Sequence, residues 1–373
     1  MKLPLLDYVE RIFNDINLDD VLIITCHHLL RSKYTMYSYL LNKGLKPENI
    51  FILGKSYSTN TDIMQWYRNK GVYVHKDSDS FDSHQPFEDQ FSKHVSSFFE
   101  SIQKCFSKYK KVLIIDDGGF LLEYVNKHFQ KFDNIIGVEQ TSSGYRKLQR
   151  LKLNYPVINV ARCRAKLNLE SPMIAEAIAN RIIDLINELQ LTPKTGLILG
   201  MGPIGEAIKA ELHKMNLRVL TYDKLENNDN LSVLLPQSDL IIGCTGKKAI
   251  EEKHFPLIKK NSLLISASSI DIEFSSVLLR KKLKKSNDCH ETNNIDGFYL
   301  ANQGFPINFD GSMTSVKIEK IQLTLALMLS GIYTAIKKDM KKGIYDLNTE
   351  LQKKIISKYE QLDQCSQLVP RSN

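Results

Sequence analysis

The 373-residue sequence has no CxxC pair, a single tryptophan, and no apolar run near the roughly 18 residues of a membrane span. Its cysteines, Cys26, Cys105, Cys163, Cys244, Cys289 and Cys365, are scattered. That spacing indicates neither a disulfide framework nor a zinc site, and Cys289-His290 supplies only two adjacent ligands, so no metal is expected. Met1 to Leu6 is too short and too weakly basic for a signal peptide. The reading is therefore a cytoplasmic protein with no membrane partner. The net charge of +8 is dispersed rather than gathered into a stripe, which argues against nucleic acid. The densest basic run, Arg280 to Lys285, reads as a solvated helix end leading into the polar surface stretch Ser286 to Asn294. Leu368-Val369-Pro370-Arg371-Ser372 resembles a protease-cleavage tag and carries no functional reading.

What is present is enough chain for two cores. Short apolar runs alternate with helical patterns. Val21–Ile24, Asn49–Leu53, Val112–Ile115, Ile135–Val138 and Pro156–Val160 read as buried strands, and Ser32 to Lys43 as a helix. Such alternation implies a mostly parallel sheet covered on both faces. Lys76 to Asp89 is polar and reads as a surface loop. A long helical pattern starts near Pro172, and Thr192-Pro193-Lys194-Thr195-Gly196 breaks the chain. Further strands follow at Leu197–Leu199, Arg218–Thr221, Leu240–Ile242 and Leu263–Ser266. Helices are expected over Ile318–Ala335 and Leu347–Leu362, packing back on the first part.

Gly200-Met201-Gly202-Pro203-Ile204-Gly205 matches G-x-G-x-x-G in the required context. An apolar strand precedes it, an apolar-faced helix follows, and Asp223 lies 18 residues past Gly205 at the end of the next strand. The first glycine allows the turn, the second lets a pyrophosphate reach the backbone, and the third lets helix and strand pack closely. The helix start supplies free N–H groups and partial positive charge. A carboxylate at Asp223 suits ribose hydroxyls and repels a 2′-phosphate, so NAD is the expected cofactor, with Lys224 weakening that preference. Ile242-Gly243-Cys244-Thr245-Gly246 ends another strand with small residues fit for close approach.

From about Ile23 to Ser312 the chain resembles the S-adenosylhomocysteine hydrolases. The segments that carry the resemblance are Cys26-His27-His28, Ser58-Thr59-Asn60, Asp116-Asp117-Gly118-Gly119, Gly137 to Gly144, Pro156 to Val160, the glycine fingerprint, and Gly304-Phe305-Pro306. The resemblance implies an α/β fold of two doubly wound parallel sheets. A Rossmann NAD domain, residues 173–312, is inserted into a substrate domain, residues 1–172 with 313–373. It also implies an interdomain cleft in which NAD transiently oxidises a ribose hydroxyl so that a 5′ thiol can be eliminated. By position it gives His28, Asp117, Lys166 and Glu170 catalytic roles. Ser32, Ser58, Thr59, Gln140 and Phe305 fall on the substrate side. Thr141, Ser142, Ser143, Ser171, Gly200, Gly202, Pro203, Ile204, Gly205, Asp223, Cys244, Thr245 and Ser268 fall on the cofactor side.

The sequence departs from that pattern where substrate is read. Gln140 replaces a glutamate that holds ribose hydroxyls, Ser171 an asparagine near the nicotinamide, and Ser269 a catalytic histidine. Leu30 and Ser32 replace adenine-reading residues, and Phe305 a histidine. The parts for oxidation remain, while the adenine readout is largely erased. The expected function is NAD-dependent oxidation, permanent or transient, of a secondary hydroxyl on a small sugar- or nucleoside-like metabolite. Arg31, Arg162 and Arg164 near the pocket segments suggest an anionic one. The alternatives are an adenosylhomocysteinase that reads adenine differently and a non-catalytic NAD-binding protein. The family's basic, aromatic tail has no counterpart here, so a homo-oligomer is expected, with a dimer favoured and the family's tetramer the alternative.

Overall fold

The computed structural model describes residues 3–163, 166–223, 231–268 and 270–368. Nine expected strands form where their apolar runs lie: β1 (Val21–Leu29) and β2 (Ile50–Thr59), then, after the short β3 (Tyr73–Val74), β4 (Lys111–Asp116), β5 (Ile135–Glu139) and β6 (Pro156–Asn159), and later β7 (Thr195–Leu199), β8 (Arg218–Tyr222), β9 (Leu240–Gly243) and β10 (Leu263–Ser266). Three more short strands complete the set: β11 (Asn293–Ile295), β12 (Phe298–Leu300) and β13 (Gly343–Asp346).

Two sheets result. The first runs β13-β6-β5-β4-β1-β2-β3 with every pairing parallel. The second runs β11-β12-β10-β9-β7-β8 and is parallel except at the β11–β12 edge. Successive strand residues point to opposite faces, so each sheet feeds two cores. Ile23, Leu113 and Ile115 join one core of the first sheet, while Leu22, Ile24, Val112 and Ile114 join the other. Leu197 and Leu199 divide from Ile198 in the same way in the second. The helix Ile318–Lys337 returns the chain to the first sheet, where Leu323 to Ala335 are buried on all sides.

Strand order fixes where a ligand can sit. In the first sheet β1 and β4 are neighbours from which the chain winds in opposite directions; in the second, β7 and β9 are. At such a switch point the loops leaving the strand ends splay apart and open a crevice.

Two expectations are corrected. Lys76 to Asp89 is not a surface loop, because Ser78, Phe81 and Ser83 are buried and a helix, Phe87–Ile102, begins within it. The Arg280 side chain is not solvated. It is fully buried, since it supplies hydrogen bonds to Ser83, Gln85 and Gln303 carbonyls and pairs with Asp271.

Candidate functional site

The turn after β7 has the geometry its glycines permit. Gly200 has φ +96°, in the left-handed region that favours glycine. A Cβ on Gly205 would stand 2.1 Å from the Gly200 carbonyl oxygen, so a side chain there would push the helix Pro203–Lys214 off the strand. A Cβ on Gly202 would meet nothing within 4 Å, which leaves that side of the turn open. Asp223, at the end of β8, accepts a 3.0 Å hydrogen bond from the Met201 N–H. Across the switch point, the Thr245 N–H (2.5 Å), the Thr245 hydroxyl (2.8 Å) and the Gly246 N–H (3.0 Å) converge on one oxygen of buried Glu273 and fix the turn after β9.

A cavity of about 430 Å³ opens between the two sheets. His28, Ser32, Asp117, Gln140, Thr141, Ser142 and Ser143 line it from the first sheet. Lys166, Glu170 and Ser171 line it from the crossover, the helical segment between β6 and β7, and Pro203, Ile204, Cys244, Thr245 and Ser268 from the second sheet.

Asp117 is the hub of the first-sheet wall. Its Oδ1 lies 2.5 Å from Lys55 Nζ, and its Oδ2 accepts from the Gln140 amide and lies 3.4 Å from His28 Nε2. Burial alone would raise this carboxyl, but the Lys55 ammonium more than offsets it and holds Asp117 well below the usual carboxylate range. His28 contacts Ser58 Oγ through Nδ1 at 2.5 Å and stacks on Phe309 at 4.2 Å. Burial lowers its pKa to about 3 against the pull of Asp117, so the ring is neutral near pH 7. Lys166 Nζ donates to the Gln140 carbonyl (2.5 Å) and lies 3.5 Å from Glu170, whose other oxygen accepts from the Thr324 hydroxyl (2.8 Å). Behind them, burial and the neighbouring Asp116 raise Glu139 well above its ordinary value, and burial raises Asp116 to about 6.

Several expected site residues lie elsewhere. Ser58 stands behind His28. Thr59 is buried and gives its hydroxyl to the Lys55 and Ser78 carbonyls, both at 2.9 Å, so it does not reach the cavity. Phe305 is also away from it: the ring stacks on Tyr57 at 4.8 Å and packs on Phe81 and Phe87, because a large apolar ring is more stable in that aromatic core. Arg31 and Arg162 are exposed, Arg162 over the Tyr145 ring, and neither lines the cavity. Arg164, Lys224 and Ser269 lie outside the described residues. Among the charged residues lining the cavity, the one that sequence reasoning missed is Lys33. It lines the cavity, is only 8% exposed, and donates to Gln140 Oε1 at 2.9 Å. The available signal was a lysine three and four residues before Met36 and Tyr37, on the buried stripe of the helix Arg31–Leu41.

His27, beside the site, points into the core between Tyr37 and Tyr67. Burial lowers its pKa to about 3. A histidine depressed this way favours the fold above its unfolded pKa of about 6.5 and loses that contribution as pH falls toward 3. Asp116 and Glu139, with raised values, act in the opposite direction. Replacing His27 with leucine should therefore reduce the acid-side loss of stability by about 1.4 kcal/mol per pH unit between those limits. Urea unfolding across that range measures it, and an unchanged slope would show that His27 is not held neutral.

No family model matches the sequence. The chain is 36% identical over 331 residues to an uncharacterised protein of Mycobacterium tuberculosis, an alignment that takes in 86% of this chain and 65% of the relative's length. It is 24% identical over 234 residues to adenosylhomocysteinase of Sulfurisphaera tokodaii, covering 57% of this chain and 56% of that protein. Among solved structures, an NAD⁺-bound 3-phosphoglycerate dehydrogenase of Entamoeba histolytica aligns over 86% of this chain and 99% of its own, at 12% identity and a TM-score of 0.44.

Proposed function

We propose that the chain is an NAD-dependent oxidoreductase that acts on a secondary hydroxyl of a small sugar- or nucleoside-like metabolite. One observation carries this reading: a single cavity is lined on one side by the start of the glycine-turn helix and on the other by His28, Asp117 and Lys166. In this reading residues 173–312 hold the dinucleotide, and residues 1–172 with 313–373 hold the substrate. The open side of Gly202 and the start of the helix at Pro203 suit a pyrophosphate. Asp223 suits the ribose hydroxyls and disfavours a 2′-phosphate.

Bound NAD would supply the hydride acceptor. The chain's own part is to bind, orient and move a proton. After giving up its resting proton, the Lys166 amine, held in place by the Gln140 carbonyl, takes the proton from the substrate hydroxyl. Glu170, 3.5 Å away, stabilises the ammonium that forms. His28, neutral and clamped between Ser58 and Phe309, orients the hydroxyl without adding charge. The likeness to adenosylhomocysteinase supports a second form of this reading, in which the hydroxyl is oxidised only transiently.

Calorimetric titration with NAD tests the proposal. One site per chain is expected, with NADP bound more weakly. Gly205→Ala should lose about tenfold in NAD affinity and about 1–3 kcal/mol in stability, because its methyl group has no room against the Gly200 carbonyl. Incubation with S-adenosylhomocysteine, read as release of adenosine and homocysteine, tests the transient form. A folded chain that takes up no nicotinamide dinucleotide overturns the proposal.

A further inference from the structure

Lys33, Lys166 and, behind the wall, Lys55 outnumber Asp117 and Glu170, the two carboxylates lining the cavity. Asp117 is matched by Lys55 at 2.5 Å, and Glu170 by Lys166 at 3.5 Å. His28 is neutral near pH 7, since its pKa is about 3. Lys33 is what remains. No carboxylate lies within 4.0 Å of its ammonium among the described residues, and its hydrogen bond goes to the neutral side-chain oxygen of Gln140. That amide cannot turn over to help, because its nitrogen is committed to Asp117. An ammonium carries three donors, and this one is nine-tenths buried at the cavity wall.

A buried cation is costly unless paired. We propose that the pairing comes from the substrate: Lys33 binds an oxyanion, a carboxylate or a phosphate monoester, carried by the molecule whose hydroxyl is oxidised. The proposal rests on the activity argued above for its chemistry, though not for anion binding itself. The cavity is shared with the dinucleotide-facing wall and totals about 430 Å³, so the anion and the reacting hydroxyl belong to one small molecule. The exposed Arg31 and Arg162 are not needed for this recognition.

The electrostatic setting is consistent with an anion. Lys33 is faced by Asp117 after β4, by Lys55 on β2, by Lys166 and Glu170 on the crossover, and by His27 and His28 on β1. Burial first, with Lys166 and Lys55 adding, lowers its amine to about 8 against Asp117 and Glu170. An anion favours the ammonium form, so anion affinity should fall as pH rises through about 8.

Two measurements test the proposal. With NAD saturating, binding of ribose is compared with ribose 5-phosphate, and glucose with glucuronate. The phosphate or the carboxylate member is expected to bind at least about tenfold tighter than its neutral partner, and which pair responds identifies the oxyanion. Lys33→Met should abolish the preference, and Lys33→Arg should keep it while removing the fall near pH 8. Without NAD, reductive methylation of Lys33 in the wild-type chain, read by mass spectrometry, should be slowed by inorganic phosphate or acetate. Equal binding within both pairs together with no protection of Lys33 would overturn the proposal, as would a preference that survives Lys33→Met. Protection of Lys33 in a chain that takes up no NAD would support the anion site and remove the oxidoreductase reading instead.

Discussion

Replacing Asp117 with alanine is expected to destabilise the chain by about 3–5 kcal/mol, the cost of breaking a buried ion pair from one side. Lys55 is 1% exposed and holds Asp117 Oδ1 at 2.5 Å, so the variant leaves an ammonium in the core with no carboxylate beside it. The loss spreads further. Gln140 loses the acceptor that orients its amide, and with it the partner of Lys33 is no longer fixed. His28 loses the carboxylate 3.4 Å from Nε2. Turnover of any hydroxylated substrate should drop by about 10²–10⁴-fold, the usual worth of a positioned acid–base set. Asp117→Asn keeps an acceptor for Lys55 and should cost less stability. The double variant Asp117→Ala with Lys55→Met removes both charges and should recover most of the stability but none of the turnover. Urea unfolding of the wild type, the single variants Asp117→Ala and Lys55→Met, and the double variant closes the cycle. If Asp117→Ala unfolds at the wild-type midpoint, Lys55 is neutralised by another group and Asp117 is not the hub of this wall.

Much of this architecture was legible because it is local. A run such as Leu22-Ile23-Ile24 is apolar at every position, which suits a strand buried on both faces, and its residues do divide between two cores. The glycine turn was legible for the same reason: strand, turn, helix and Asp223 are within one unit of chain. The short strands β3, β11, β12 and β13 were not, since two to four residues carry no period and their pairing partners are supplied from elsewhere. The helix Phe87–Ile102 was hidden by the polar residues interleaved with its buried phenylalanines. At the site, position along the chain told which residues lie near the cleft but not which way they point. Thr59 and Phe305 are in the right segments and turn into the core. Lys33 turns the other way, and nothing in its neighbours' identities says that Gln140 will be its only hydrogen-bonding partner among those described.

Arg280 shows the same limit most strongly, since a lysine-rich run conceals a residue on which both halves of the chain close. It lies at the end of the short helix Ser276–Arg280, yet its side chain is fully buried. Nε donates to the Ser83 carbonyl at 2.7 Å, Nη1 to Gln303 at 2.6 Å, and Nη2 to Gln85 at 3.2 Å and to Asp271 at 2.6 Å. Ser83 and Ser286 add two further bonds across the same seam, and Phe81 and Phe305 flank the guanidinium. Arg280→Met should therefore cost about 3–5 kcal/mol, because it leaves Asp271 unpaired and strips donors from three carbonyls. Arg280→Lys keeps the charge but not the planar fork, and should fall between. The sign with pH distinguishes this from a general packing defect. Burial already raises Asp271 against the pull of Arg280. Without the arginine its folded pKa rises further above the unfolded value of about 3.9, so the stability of the variant is lost as pH rises and regained as Asp271 takes up a proton. The deficit measured by urea unfolding should shrink steadily as pH is lowered toward 4. A deficit that stays constant over that range would mean that the guanidinium holds the two halves by shape alone, and that the Asp271 charge contributes nothing to the seam.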